Sequence, residues 1–332
     1  MPAQAANSLP DNAIEAHRLD KVYAAKGGGE RQHALKAIDL TIPRGSLFGL
    51  LGPNGAGKST FINILAGLVL KTSGKVHVWG MDIDDQARNA RAAIGIVPQE
   101  LNLDAFFTPR EMLEVQAGLY GVPARERRTM EILDKVGLVD KADAYARSLS
   151  GGMRRRLLVA KAMVHNAPIL VLDEPTAGVD IELRQQLWAS VREMNDRGTT
   201  ILLTTHYLEE AEKLCDTIAI INHGRVIACE ATQSLIGRID DRELELTVAE
   251  TVHEVPPALT GLHIDMPEPQ RFVVRYQTKD ISIGEILKLF GQAGLTISDL
   301  KTREPDLEDT FLALTRRPAV ADQAPDSAGT GS

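Results

Sequence analysis

Apolar positions along this chain follow three spacings, and each marks a different kind of element. Alternation with polar residues between Ile14 and Ile42 predicts two strands joined by a turn around Gly27-Gly28-Gly29, most clearly in Ala37-Ile38-Asp39-Leu40-Thr41-Ile42. Lys75 to Trp79 reads as a short strand ended by Gly80, and Ala93 to Val97 as another that stops at Pro98-Gln99. Leu47 to Leu51 is an apolar run, and Ile169 to Leu172 is apolar throughout, as the centre of a parallel sheet requires. Thr200 to Thr204 is a further strand, and Ile218–Ile221 with Arg225–Ala228 flank His223-Gly224 as a hairpin.

Helical spacing fills the gaps between these strands. Phe61, Ile62, Ile64 and Leu65 begin a helix that the pattern carries to about Leu70. Thr108-Pro109-Arg110-Glu111 is a capping box with proline at the first helical position. Met112, Val115 and Leu119 then form the expected buried face, and Gly121 closes the helix. A second helix is predicted from about Thr129 to Val136. Met153, Leu157, Ala160 and Val164 mark a third, and Leu183, Leu187, Val191 and Met194 a fourth. Strands alternating with helices give an α/β sheet whose central strands are mainly parallel.

After about Arg238 the texture changes. Leu244, Leu246 and Val248 alternate, Phe272 to Tyr276 is strand-like, and Ile283, Ile286, Leu287 and Phe290 form a helical stripe. These predict a small α+β appendage ending near Thr315. The tail from Pro318 is rich in Ala, Pro, Gly, Ser and Asp and is expected to be disordered, as is a loose terminus up to about Asp11.

Composition narrows the class. At 332 residues the chain has room for two domains. Its 44% hydrophobic and 25% charged content is that of a soluble globular protein. A net charge of −8 argues against a nucleic-acid grip. The two cysteines, Cys215 and Cys229, have no metal-ligand spacing and read as reduced and mostly buried. The first residues carry neither a basic cluster nor an apolar core, so no signal peptide is expected. No run approaches the roughly 18 apolar residues of a membrane span, so a membrane role has to come through a partner.

The chemistry begins at Gly52-Pro53-Asn54-Gly55-Ala56-Gly57-Lys58-Ser59-Thr60, between an apolar strand and a helix. Glycines let backbone N–H groups curl around phosphate oxygens, and the helix start turns its positive end to the same anion. Lys58 then neutralises the β- and γ-phosphates, and the Ser59 hydroxyl ligates Mg²⁺. The chain is expected to bind a nucleoside triphosphate. Asp173 and Glu174 close the apolar strand, where Asp173 can hold Mg²⁺ through its water shell and Glu174 can polarise a water, although such pairs also serve as plain helix caps. His206 ends a strand of the same sheet, within reach of a γ-phosphate. Gln99, just past another strand, offers an amide to both Mg²⁺ and the attacking water; on spacing alone it is an ordinary turn residue. Leu149-Ser150-Gly151-Gly152 opens a helix and offers either a simple cap or a second anion site, and since the first loop already holds the triphosphate, that site needs a different phosphate.

The ordered set GPNGAGKST, VPQ, LSGG, ILVLDEPTAGVD and TTH resembles the ATP-binding subunits of ABC transporters over about residues 14 to 238. The resemblance implies an α/β fold: a P-loop NTPase with a mainly parallel sheet core, an antiparallel β subdomain, a helical insertion at about 101–165 and the small C-terminal α+β appendage. The expected domains are 11–238, 239–316 and a tail at 317–332. It also implies roles: Tyr23 stacking on adenine (alone, more simply a sheet tyrosine), Gln99 as the Q-loop residue, Glu174 as catalytic base, Asp180 in the D-loop and His206 as the switch histidine. Ser150, Gly151 and Gly152 become the signature that meets ATP bound to another subunit. One departure is Met153, where the family usually has glutamine. The stretches Thr204–Glu212 and Glu304–Leu312 look like those of multidrug, daunorubicin-resistance and polysaccharide-type exporters.

The implied function is an ATPase, with ATP and Mg²⁺, that powers export by a separate multi-span permease and works as a homodimer on the cytoplasmic face of the inner membrane. The alternative is a soluble ABC-type ATPase acting on ribosomes or nucleic acid, which usually brings a tandem unit or a coiled-coil insertion. A non-hydrolysing regulatory subunit is disfavoured because Lys58, Asp173, Glu174 and His206 are all present. Phe106 and Phe107, just after Gln99, are candidate anchors for the permease or else core residues.

Overall fold

The computed structural model describes residues 9–24, 31–100, 102–176, 178–238 and 241–316. The chain terminus before residue 9, the Gly27-Gly28-Gly29 turn and the tail from 317 lie outside them. The chain divides into two units, Met1–Leu235 and Ile236–Ser332.

In the first unit the most apolar runs became the central sheet. Its strands are β3 (Leu47–Leu51), β6 (Ile94–Val97), β7 (Ile169–Asp173), β8 (Thr200–Thr204), β9 (Thr217–Asn222) and β10 (Arg225–Ala231). They lie in the order β10-β9-β3-β8-β7-β6. Neighbours from β9 to β6 pair in parallel, and β10 returns antiparallel along β9 as the expected hairpin. Every residue of β3, β7 and β8 is buried, which is why these strands show no alternation.

A second, antiparallel sheet has the order β2-β1-β4-β5, from β1 (Asn12–Tyr23), β2 (Gln32–Pro43), β4 (Ser73–Val78) and β5 (Met81–Asp82). Val78 pairs with Met81 across Trp79-Gly80, both at left-handed φ (53° and 76°), which is the two-residue hairpin geometry that matches strand twist. Ile14, Leu19, Leu35 and Ile38 of this sheet share one core with Phe48, Val171 and Leu202 of the first sheet, and with Phe61, Ile64 and Leu65 of α1 (Lys58–Leu65). Burying each such side chain contributes about 1.5–3 kcal/mol. The helix ends at Leu65 and does not run to Leu70, because Gly67 takes φ 71° and breaks it. A short helix α2 (Ala87–Ala92) precedes β6.

The helical insertion contains α3 (Pro109–Leu119), α4 (Thr129–Lys135) and α5 (Gly151–Met163). The capping box at Thr108 forms in both directions: Glu111 N–H donates to Thr108 Oγ1 (3.2 Å), and Thr108 N–H to Glu111 Oε2 (2.9 Å). The buried face of α3 is Met112, Leu113 and Ala117, packed on Ile132, Leu133 and Leu157. Val115 and Leu119, expected inside, are 50% and 77% exposed, since the stripe is rotated by about one residue toward Leu113. Helices α6 (Ile181–Asp196), α7 (Leu208–Leu214) and α8 (Thr232–Ile236) complete the order of elements. Cys215 is buried as expected, whereas Cys229 is exposed, on the edge strand β10.

The second unit is α+β. β11 (Asp241–Val248), β12 (His263–Glu268), β13 (Arg271–Gln277) and β14 (Ile297–Arg303) form an antiparallel sheet in the order β12-β13-β11-β14. Helix α9 (Ile283–Gln292), capped by a Ser282–Glu285 box, presses Ile286 and Phe290 onto Leu244, Leu246 and Phe272. The Phe272 and Phe290 rings meet edge to face at 5.3 Å. A last helix, α10, spans Leu307–Arg316.

Candidate functional site

Four adjacent strands, β3, β8, β7 and β6, deliver the singled-out residues from their carboxyl ends, the edge where open α/β sheets place ligands. The glycine-rich loop follows β3, His206 follows β8, Asp173 ends β7 and is followed by Glu174, and Gln99 follows β6. Two glycines of the loop have no substitute. A Cβ on Gly52 would stand 2.2 Å from the Ile221 carbonyl oxygen. One on Gly57, at φ 117°, would stand 2.7 Å from both the Ala34 carbonyl oxygen and Leu35. Gly55 also takes a left-handed φ, and Asn54, Pro53 and Ser59 are exposed at the loop's surface.

Lys58 opens α1 and folds back over the loop, donating from Nζ to Gly52 O (2.6 Å) and Pro53 O (3.2 Å). Burial lowers its pKa, and the charges of Glu174 and Asp173 oppose that. Tyr23 ends β1 with its hydroxyl 3.5 Å from Thr60 Oγ1, so its ring stands beside the same loop, with Lys21 Nζ 4.7 Å above the ring centre.

Burial pushes the Asp173 carboxyl up, the Thr204 hydroxyl donated to Oδ1 pulls it down, Glu174 raises it, and Lys58 and Arg155 lower it. Glu174 sits at φ 48°, a left-handed conformation costly for a non-glycine residue, and its N–H donates to Thr204 O (3.1 Å) and Oγ1 (3.2 Å). Leaving the strand in that way brings its carboxylate to two partners. Gln99 Nε2 donates to Glu174 Oε2 at 3.0 Å, and His206 Nδ1 lies 3.4 Å from the same oxygen. A carboxylate gripped by an amide and an imidazole beside a lysine is equipped to orient and deprotonate a water.

Ser150, Gly151 and Gly152 stand apart from this cluster. Ser150 caps α5 by accepting Met153 N–H (3.2 Å), and among the described hydrogen bonds and ion pairs none ties it to Glu174 or the loop. Asp180, exposed, precedes α6, and its carbonyl accepts Arg184 N–H. The chain thus assembles the phosphate loop, Gln99, Asp173, Glu174 and His206 in one place, and leaves the Ser150 helix start facing outward.

Residues missed in the sequence are Arg154, Arg155 and Arg156. They donate respectively to Leu149 O (3.0 Å), Pro98 O (2.8 Å) and Val136 O (2.6 Å). Arg155 and Arg156 are buried, and Arg155 holds the residue just before Gln99. Three successive helical positions span some 200° of the helix surface, so a triple arginine has to turn at least one cation inward.

Among the described residues, no group of three or more His, Cys, Asp or Glu could hold a metal ion. One hydroxyl (Ser59), one carboxylate (Asp173) and one amide (Gln99) are hard oxygen donors, too few for an all-protein cage. That set fits Mg²⁺, which keeps waters and takes its remaining ligands from substrate phosphates.

Residues 35–177 match the family described as ABC transporter. The chain is 39% identical over 305 residues to a Nod factor export ATP-binding protein I of Rhizobium sp. (strain N33), covering 90% of this chain and 97% of that one. It is 36% identical over 312 residues to a daunorubicin resistance ATP-binding protein of Streptomyces coeruleorubidus, covering 91% and 95%. Among solved structures, an ATP-binding subunit of an ABC transporter matches at a TM-score of 0.61 and 28% identity, covering 68% of this chain and 92% of that one. A dimeric ATP-binding cassette in a post-hydrolysis state with ADP and phosphate matches at 0.60 and 28%, covering 66% and 98%. The chain belongs to the ABC transporter family, among its ATP-hydrolysing, ATP-binding subunits of exporter type.

Proposed function

We propose that this subunit drives export through a separate multi-span permease by binding and hydrolysing ATP between two copies of itself. The observation that carries the reading is the meeting of Gln99 and His206 on the Glu174 carboxylate, beside Lys58. In this reading Tyr23 stacks on the adenine, residues 52–60 cradle the phosphates, and Lys58 neutralises them. Glu174 takes the proton of the attacking water, while Gln99 and His206 fix the orientation of its carboxylate. Ser59, Gln99 and Asp173 hold Mg²⁺, which offsets charge on the phosphates when bound.

The outward-facing start of α5 supports the dimer. Exposed Ser150 and Gly151, with no side chain on Gly151 or Gly152 to obstruct a ligand, suit a γ-phosphate held by another copy, with Asp180 at the same interface. A matching relative solved as a dimeric cassette with ADP and phosphate supports the same reading. Relatives named for Nod factor export and daunorubicin resistance support export as the direction. No described helix is long and apolar enough to cross a membrane, in keeping with attachment at the cytoplasmic face through the permease. The test is purification of the tagged full chain from membranes. A stoichiometric multi-span protein that raises ATP turnover is expected; turnover stimulated instead by ribosomes or nucleic acid would overturn the reading.

A further inference from the structure

Glu210 lies in the first turn of α7 and is only 7% exposed; it falls within the Thr204–Glu212 stretch, which gave it no role of its own. Its Oε2 accepts the Thr176 hydroxyl at 2.9 Å and the Thr205 hydroxyl at 3.1 Å. Its Oε1 faces Arg184 Nε at 3.3 Å. Both threonines are buried. Thr176 lies two residues after Glu174, and Thr205 immediately precedes His206. One carboxylate therefore ties together the two loops whose tips meet at the Glu174–His206 contact of 3.4 Å.

Arg184 extends the network to a third loop. Its Nη2 donates to Val179 O (3.4 Å), its backbone N–H donates to Asp180 O (2.9 Å), and its guanidinium lies 4.5 Å above the Tyr207 ring. Tyr207 in turn packs on His206, with ring centres 4.0 Å apart. The turn at Val179-Asp180 is thus joined to the His206 segment by two routes, through Glu210 and through Tyr207.

A buried ion pair is weak grounds for stability, because apolar residues of the same volume usually serve as well or better. What apolar packing cannot do is hold two hydroxyls at fixed distances from a third loop. We propose that Glu210 is a positioning residue for hydrolysis: it sets the spacing of Glu174 and His206 and, through Arg184, links that spacing to the Asp180 turn. The proposal rests on the reading of Glu174 and His206 as catalytic.

The test is a double-mutant cycle on the full chain, reading ATP turnover and ATP affinity separately. Glu210→Ala is expected to lower kcat about 10- to 100-fold, the scale of a misplaced catalytic group, with the Kd for ATP within about 2-fold of the parent. In a His206→Ala background the same substitution is expected to cost little more, because there is no spacing left to set. Should Glu210→Ala fail to fold, Thr176→Val with Thr205→Val removes the same two bonds with little change of shape and is read in the same cycle. Loss of ATP affinity in step with kcat, an unchanged kcat, or a full additional loss in the His206→Ala chain would each overturn the positioning role. A His206→Ala chain that turns over ATP at the parent rate would overturn the catalytic reading of His206, and this proposal with it.

Discussion

The Gln99 side-chain amide donates to the Glu174 carboxylate at 3.0 Å, across 75 positions of sequence. This single bond joins the second residue after β6, just before the helical insertion, to the carboxylate that follows the buried strand β7. Arg155 reinforces it from the insertion's own side by holding Pro98 O. The chain of contacts from α5 to Glu174 therefore runs through only two residues, Pro98 and Gln99.

If Glu174 orients and deprotonates the water, replacing it by glutamine keeps its shape and removes its basicity. Glu174→Gln is expected to bind ATP as the parent does and to turn over about 10²–10⁴-fold more slowly. Lys58→Ala is expected instead to weaken binding and turnover together. Equilibrium ATP binding and single-turnover hydrolysis on the two variants check this; parent-rate hydrolysis by Glu174→Gln would remove Glu174 from the role.

Tyr23 stands beside Thr60 with its ring only partly buried, and the proposed reading stacks it on the adenine. Tyr23→Ala is expected to weaken ATP binding by about 1–3 kcal/mol, roughly 5- to 150-fold in Kd, and Tyr23→Phe to spare it. Titration with ATP measures both. An alanine variant that binds ATP at parent affinity would leave Tyr23 as a simple sheet residue.

His165 stacks on Tyr120 with rings 3.7 Å apart and 4° from parallel. Burial lowers its pKa, while its bond to the Ile94 carbonyl acts the other way. In the unfolded chain an imidazole titrates at about 6.5, so between that pH and the lower folded pKa the unfolded state binds more protons and stability falls as pH falls. The stability His165 contributes is full above that value and is lost as pH falls through its lower folded pKa. His165→Phe keeps the stack and removes the proton. Its Tm is expected to vary less between pH 7 and pH 5 than that of the parent, whatever its absolute value. Parallel Tm–pH curves would contradict this.

Phe106 is 71% exposed, so core packing does not account for it, and Phe107 is also exposed. Val115 and Leu119, on α3 of the insertion that follows Gln99, are exposed as well. Cysteines placed singly at 104–107, in a chain whose exposed Cys229 is replaced by serine, are expected to cross-link to the permease. Cross-links found only from 239–316 would contradict this docking.

The phosphate loop, the sheet and the carboxylate pair were legible because each rests on local requirements. Gly52 and Gly57 have no room for a Cβ, and β7 is buried on both faces, so the sequence there is tightly constrained. The face of α3 differs from the periodic expectation because Met112 fits either register, and the buried Leu113 and Ala117, not Val115 and Leu119, set it. Helix α1 is shorter than its apolar pattern because apolar residues continue past Gly67, whose backbone ends the helix. Bonds from Arg155 to Pro98 and from Thr176 to Glu210 join residues 57 and 34 positions apart and leave no local spacing to read.

The central claim is that hydrolysis takes place between two copies of this chain, with ATP as part of the interface. The most direct measurement is sedimentation of Glu174→Gln, in which slowed hydrolysis is expected to leave ATP bound. With Mg²⁺ and saturating ATP the chain is expected to sediment as a dimer, and with ADP as a monomer, since hydrolysis removes the γ-phosphate that the Ser150 helix start would hold. A Glu174→Gln chain that binds ATP yet stays monomeric, even with its permease present, would contradict the account.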